Sequence, residues 1–293
     1  MERILHEYFW YLLRHTYKWW PDAIWLRVLY RLKMHRVLHL KNPQRFTEKL
    51  QWLKLHDRNP LYSVLVDKYE VKDYVRQQIG GEYVIPVYGV WEHFDDIDFE
   101  KLPNQFVLKC THDSGNVFIC KDKVTFDKTK AKEGLERSLK YNFYWWTREW
   151  PYKNVKARIL AEKYMKDEKS GDGSLTDYKF YCFKGEPKIV LVSSGRGSGN
   201  LCFDYYDMQW RKLPLIWDRP NSNIDYAEPL NFSKMQQMCR QLAQGIPHVR
   251  IDLYDISNHI YFGEFTFYDS GGYCNFTPDE WDKKLGDMIS VPV

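Results

Sequence analysis

Apolar and polar positions alternate most clearly over 248–267, HVRIDLYDISNHIYFGEFTF. Val249, Ile251 and Leu253 fall on one side of an extended chain and Arg250, Asp252 and Tyr254 on the other. That period of two predicts a half-buried strand. Asp255–Asn258 is turn-like and the following flank alternates too, so the whole segment reads as a hairpin. Short apolar runs predict further strands at Val84–Val90, Phe106–Cys110, Ile159–Tyr164, Tyr178–Phe183 and Pro187–Ser193. Helical spacing predicts helices from Thr47 to about His56, from Leu61 to Gln78, over 127–141 and over Ser233–Gln244. Asn59-Pro60 and Gly80-Gly81 separate the first of these from their neighbours. Residues 1–41 read as helix broken near Pro21. Helices and strands mix without a regular βαβ rhythm, which predicts an α+β fold with largely antiparallel sheets.

Charge refines this picture at one end only. Residues 1–41 hold eight Lys/Arg against three Asp/Glu, whereas the whole 293-residue chain carries only +4. The remainder is close to neutral, so a nucleic-acid partner is not expected. In the same segment Trp10, Trp19, Trp20 and Trp25 lie among Arg14, Lys18, Arg27 and Arg31. Two readings stay open: a peripheral contact with an anionic membrane surface, or a cap whose aromatic stripe packs on the body. No apolar run approaches the roughly 18 residues that cross a bilayer. Met1–Trp10 lacks a cleavable signal pattern, and six scattered cysteines form no C-x-x-C pair. A cytoplasmic protein with reduced thiols is expected, at most peripheral at the inner face of the cell membrane.

Three segments carry candidate chemistry. With the hairpin turn centred near Ser257, Asp252 and Glu264 become diagonal neighbours on one face, with Thr266 beside them. Two carboxylates so placed can hold Mg²⁺, and Arg250 on the same face can meet a phosphoryl group. A structural Arg–Asp–Glu network satisfies the pattern equally. In FVLKCTHDSGNVFIC (106–120), strand residue Lys109 precedes a loop with Ser114-Gly115-Asn116, which suits phosphate or an ordinary hairpin turn. Glu162, in RILAEKYM, is an acid within an apolar strand and needs a partner, either a nucleobase amino group or a neighbouring lysine.

Taken in order, these segments resemble the ATP-grasp superfamily, and more closely its teichuronopeptide-biosynthesis (TupA-like) branch of bacterial surface-polysaccharide gene clusters. NPQRFTEKLQWLKLHDRNPLY, LVDKYEVKDYV, LPNQFVLKCTHDSG, REWPYKNVKARILAEKYM, DYKFYCFKGEPKIV and VRIDLYDISNHIYFGEFTF carry the resemblance, over about residues 41–290. It implies two α+β subdomains gripping ATP: a helical N-terminal segment (1–60), a linker helix with the lid (61–158) and a C-terminal subdomain (159–293). It implies that Lys68 and Lys109 bind the nucleotide phosphates under a flexible His112–Asn116 loop that includes Ser114 and Gly115. Glu162 would take the adenine amino group, the Lys163–Tyr164 backbone the ring edge, and Asp177 the ribose. Asp252 and Glu264 match the magnesium carboxylates, Arg250 the arginine of the acyl-phosphate transition state, and Arg196 a γ-phosphate contact. Thr266 stands where many relatives have Asn, which suggests a leaner metal set.

The expectation is therefore an ATP- and Mg²⁺-dependent carboxylate–amine ligase. Its substrate would be a sugar or glycan, lipid-linked forms included. A glycan kinase using the same ATP site and a glycosyltransferase remain alternatives, although no Asp-x-Asp serves the latter.

Overall fold

The structure is a computed structural model describing residues 16–167, 175–194 and 201–292. The N-terminal part contains α1 (Asp22–Met34), α2 (Phe46–His56), α3 (Leu61–Val66) and α4 (Val71–Ile79). Then come β1 (Val87–Trp91), β2 (Phe106–Cys110), β3 (Val117–Cys120), α5 (Lys128–Leu139), α6 (Tyr144–Thr147) and β4 (Ile159–Lys163). The rest comprises β5 (Asp177–Phe183), β6 (Glu186–Ser194), β7 (Cys202–Asp207), β8 (Ile216–Trp217), α7 (Phe232–Leu242), β9 (His248–Ile256), β10 (His259–Thr266), β11 (Phe276–Thr277) and α8 (Glu280–Met288).

Two antiparallel sheets organise the molecule, as the α+β expectation requires. The smaller has strand order β1-β4-β2-β3. Its apolar side, Phe106, Leu108, Ile159 and Ala161, packs on Ala131 and Leu135 of α5. The larger has order β10-β9-β5-β6-β7. Met235, Cys239 and Leu242 recur at helical spacing on α7 and bury against Phe180, Val190 and Ile251 of that sheet. An isolated parallel bridge from Val84 to Phe262 ties the start of the small sheet to β10. One face of the large sheet is thus spent on the core, and the other is left to line a cleft.

One expectation changes, and one of two open readings is seen. The predicted helix over 61–78 is two helices, α3 and α4, broken at Asp67-Lys68. Asp67 Oδ1 accepts from the N–H of Tyr69 (2.8 Å) and of Glu70 (3.2 Å), a local turn that competes with helix continuation. The Lys68 N–H leaves the helix altogether and donates to Thr111 O at 3.0 Å. Near the N-terminus, the described part of 1–41 forms a packed cap. Trp25, Leu26, Leu29 and Tyr30 are fully buried, in a cluster with Tyr273 and Trp146. Trp25 Nε1 donates to Trp146 O at 2.8 Å, and Arg148 Nε pairs with Asp22 at 2.9 Å. The aromatic stripe is core, with Trp19 the one strongly exposed tryptophan of the described cap at 86%. Trp10 and Arg14 lie outside the described residues. No helix among the described residues is long and apolar enough to cross a membrane.

The start of α2 shows how the chain's ends close on each other. Its Thr47 gives both N–H (2.9 Å) and Oγ (3.0 Å) to buried Asp282 of α8, so the cap comes from 235 residues away. Gly286 lets α8 pass here, because a Cβ would lie 2.2 Å from Gln44 O.

Trp25→Ala should lower unfolding free energy by about 3–5 kcal/mol in urea titrations. An unchanged midpoint would remove the cap as a structural element.

Candidate active site

The cleft face of the large sheet follows from pairing register. The β9–β10 turn has two residues, Ser257 (φ 54°) and Asn258 (φ 67°), so Ile256 pairs His259 and Leu253 pairs Phe262. Uninterrupted, this register would place Glu264 on the core face with Ile260 and Phe262. A bulge at Gly263 inserts one residue and resets the alternation. Glu264 then stands directly opposite Asp252, closer than the expected diagonal placement, and Thr266 stands opposite Arg250. Glycine relieves crowding at the bulge, since a Cβ there would lie a tight 3.0 Å from Asp252 O and 3.1 Å from the Tyr254 ring.

β5 adds its own face to this one, with Lys179 opposite Asp252, Asp177 opposite Tyr254 and Tyr181 opposite Arg250. The result is a buried ionic cluster. Arg250 grips Asp252 with two nitrogens (Nε at 2.7 Å, Nη2 at 2.9 Å), Asp269 at 2.6 Å and Glu264 at 3.3 Å. Lys179 bonds Asp252 and reaches Asp177 at 2.8 Å. Tyr181 donates to the far oxygen of Asp269 at 2.6 Å. Burial alone would raise the Asp252 carboxyl, but Arg250 and Lys179 outweigh it and hold its pKa below the ordinary value. Its neighbours push Arg250 well above its own ordinary value despite burial. Four carboxylates here meet two cations. The excess is negative, and Glu264 is the member facing solvent, its side chain 46% exposed.

Across the cleft the balance reverses. Lys68, Lys72 and Lys109 line it with Glu162, against Tyr254, Phe262 and Gly263 of the large sheet. The break between α3 and α4 delivers Lys68; Arg158 fixes that break by pairing Asp67 (2.8 Å) and Glu70 (2.7 Å). Glu162, 5% exposed, spends both oxygens on lysines, one on Lys109 and one on Lys72 at 3.1 Å. Of its two sequence-based readings, the lysine pair is the one seen. Burial would raise its pKa, and Lys109 with Lys72 bring it below the ordinary value. Burial lowers Lys68 and Lys72, against the pull of Glu264 and Asp113 on the first and of Glu162 on the second. Folded inward, these side chains leave only about 40 Å³, so a nucleotide requires the pairs to open.

The loop after β2 differs from expectation. His112 and Asp113 are buried, His112 Nε2 lying 3.1 Å from Ser138 O and 3.0 Å from Tyr141 O. Asp113 accepts from Ser138 Oγ at 2.6 Å and from Lys68 through its carbonyl. Ser114, Gly115 and Asn116 form an exposed tip, and His112 is buried at its base. Lys163 is exposed and Tyr164 half-buried, just past β4. Asp177 is buried against Lys179. Arg196 lies outside the described residues.

A family profile for TupA-like ATP-grasp proteins matches residues 48–290. The chain belongs to this family. Among solved structures it is similar to D-alanine–D-alanine ligase from Bacillus anthracis complexed with ATP: 14% identity over 77% of this chain and 63% of that one, TM-score 0.43. The ligase from Helicobacter pylori gives 12% identity over 84% and 70%, TM-score 0.43. The ATP-grasp ligase PsnB, complexed with minimal precursor, Mg and ADP, gives 9% over 75% and 57%, TM-score 0.40. The chain spans 63% of the length of the Bacillus anthracis ligase. No curated protein matches the sequence.

Sequence reasoning missed Lys72, Lys179 and Asp269. A signal for Lys179 was present in Asp177-Tyr178-Lys179, charges at i and i+2 on a strand. Lys72 and Asp269 depend on the helix break and on a turn, neither of which has periodicity.

Gly263→Val should destabilise the fold by about 1–3 kcal/mol in urea titrations, since the added methyls meet Asp252 backbone. A neutral result would mean that the bulge tolerates a side chain and does not fix Glu264.

Proposed function

We propose that the protein is an ATP-dependent carboxylate–amine ligase acting through an acyl phosphate. One observation carries the reading: Lys68, Lys72 and Lys109 line a cleft against β9 and β10, where Lys68 feels the charge of Glu264, the solvent-facing member of the Arg250 cluster. A polyphosphate fits the lysine side, and its far end then meets Arg250 and Lys179. Lys68, Lys72 and Lys109 hold the phosphates once Glu162 releases two of them. Glu162 is then free to accept from the adenine amino group, and the 163–164 backbone and Asp177 are the assigned ring and ribose contacts.

The donor set also fits magnesium. The negative excess of the cluster would repel phosphates unless a divalent cation offsets it, and Glu264 is exposed enough to bind one. Asp252 would be the second ligand, and Thr266 stands on the same face. Among the described residues no three His, Cys, Asp or Glu side chains are arranged to hold a metal. Asp252 and Glu264 would hold Mg²⁺ together with oxygens of the phosphates and water, as is usual in nucleotide sites. When bound, it neutralises charge on the transferring phosphoryl group.

In this reaction a substrate carboxylate oxygen attacks the γ-phosphorus, and the bond from the γ-phosphorus to the β,γ-bridging oxygen breaks to release ADP. Arg250 stabilises the charge that develops on the phosphoryl oxygens. An amine then attacks the acyl carbon, the carbon–oxygen bond to phosphate breaks, and an amide forms. Family resemblance supports a product that is a bacterial surface glycan or its precursor bearing an amide. Six unpaired cysteines support a reducing, cytoplasmic site of action.

Incubation with ATP, Mg²⁺, sugar acids and amino acids should give ADP, phosphate and a new amide mass; a phosphosugar instead would make it a kinase. Glu264→Gln should cut turnover by roughly 10²-fold or more with the fold intact. Asp252→Asn should additionally cost about 3–5 kcal/mol of stability, because it strips a buried pair. Unchanged turnover in both removes the metal assignment.

Lysine charge sets a pH dependence. With their pKa values lowered, Lys68 and Lys72 lose protons before an ordinary lysine does, so affinity for the ATP analogue AMPPNP should begin falling below that range as pH rises. Lys72→Arg keeps its charge and should move the decline to higher pH. A decline confined to the ordinary lysine range would contradict this.

A further inference from the structure

Helix α1 has two faces of different chemistry. Trp25, Leu26, Leu29 and Tyr30 bury one of them against the body of the protein. The other carries Ile24, Arg27, Val28 and Arg31, which fall at i, i+3, i+4 and i+7 and so share one stripe. Ile24 is 48% exposed, and both arginines are exposed. Just before the helix, Tyr17 and Trp20 turn inward onto Trp25, with ring centroids 5.7 Å and 6.1 Å away. Lys18 and Trp19 are left outward.

Charge on this cap is sorted by direction. From Ala23 to Thr47 the sequence contains no Asp or Glu. Both flanking acids are already engaged. Asp22 pairs Arg148 and Arg58 and accepts from the Tyr144 hydroxyl, and Glu48 accepts from the backbone N–H groups of Gln44 and Arg45. Arg36 and Arg45 turn toward α8 and pair Asp279 at 2.6 Å and 3.0 Å. The outward cations find no carboxylate among the described residues. Arg27 reaches Ala23 O at 3.2 Å and Arg31 reaches His35 O at 3.1 Å, carbonyls of the helix itself and of its cap. Cations and single apolar tips on one stripe, with no acid to neutralise them, complement a surface that is anionic outside and apolar beneath.

We propose that this outward face of the cap docks on an anionic lipid bilayer. Lys18, Arg27 and Arg31 meet the headgroup phosphates, and Trp19 with Ile24 enters the interface between them. The contact is peripheral, and it is independent of the ligase reading. A nucleic acid would satisfy the cations but leave Ile24 in water. A protein partner calls for apolar anchors clustered in a desolvated centre. Here the large aromatics of α1 are already buried inward, and Trp19 stands alone at 86% exposure. Each cation held near an anionic membrane strengthens partition about fivefold.

Flotation of the full chain with lipid vesicles tests this. It should float with phosphatidylcholine vesicles containing about one-third phosphatidylglycerol, and stay behind with phosphatidylcholine alone. Salt at about 1 M should release it, because the Debye length then falls to about 3 Å. Arg27→Gln combined with Arg31→Gln removes two charges and should weaken partition about 25-fold. Trp19→Ala should weaken it severalfold. All three positions are exposed, so each variant should keep the thermal midpoint of the unsubstituted chain. No flotation with the anionic vesicles, equal flotation with neutral ones, or an unmoved partition in either variant would overturn the proposal. Capture by heparin or DNA without flotation would overturn it too, and would assign the stripe to a soluble polyanion.

Discussion

The grip of Arg250 on Asp252, Asp269 and Glu264 is the contact on which the arrangement of the cleft depends. A guanidinium this deeply buried survives only with several charged acceptors in good geometry. Those acceptors come from three places: its own strand, the neighbouring β10, and the turn after β10. Each is fixed by something unrelated to charge. The β9–β5 register places Lys179 beside Asp252, and the bulge at Gly263 turns Glu264 toward the cleft. The turn holding Asp269 is secured by α2: Gln51 and Lys54 donate to the carbonyls of Gly271 and Gly272 at 2.7–3.3 Å. The N-terminal cap packs behind that same turn through Tyr273. Residues more than two hundred positions from that turn therefore help to hold the arginine in place.

Where a period exists, the sequence was readable. Alternation over 248–267 identified β9, β10 and the shared face of Arg250, Asp252 and Glu264. The face was right although the register differed: the two-residue turn and the bulge each shift the pairing by one residue in the same direction, and a shift of two restores the same face. The ordered motifs identified the family and, with it, Lys68, Lys109 and Glu162 as members of one cleft.

Features without a period were not readable. Asp67 breaks a helical pattern through side-chain bonds to its own backbone, and Arg158, from ninety residues away, stabilises the break. Nothing in LYSVLVDKYEVKDYV requires that. His112 looked like a loop residue because polar neighbours surround it in sequence, yet Ser138 and Tyr141 carbonyls capture it. The aromatic N-terminal stripe had two physical outlets, and packing won for α1 because Tyr273 and Trp146 supply matching surface.

The lysine–glutamate clamp has a consequence for an empty cleft among polyanions. With Lys72 and Lys109 turned onto Glu162, the empty cleft offers little bare positive charge to stray phosphates or nucleic acid. An incoming nucleotide must displace a carboxylate that was already satisfied, which weakens its grip. On the ligase reading, the same carboxylate would stand ready to recapture both lysines and so hasten departure of the spent diphosphate. Modest affinity and quick clearance of product would then be two faces of one buried acid.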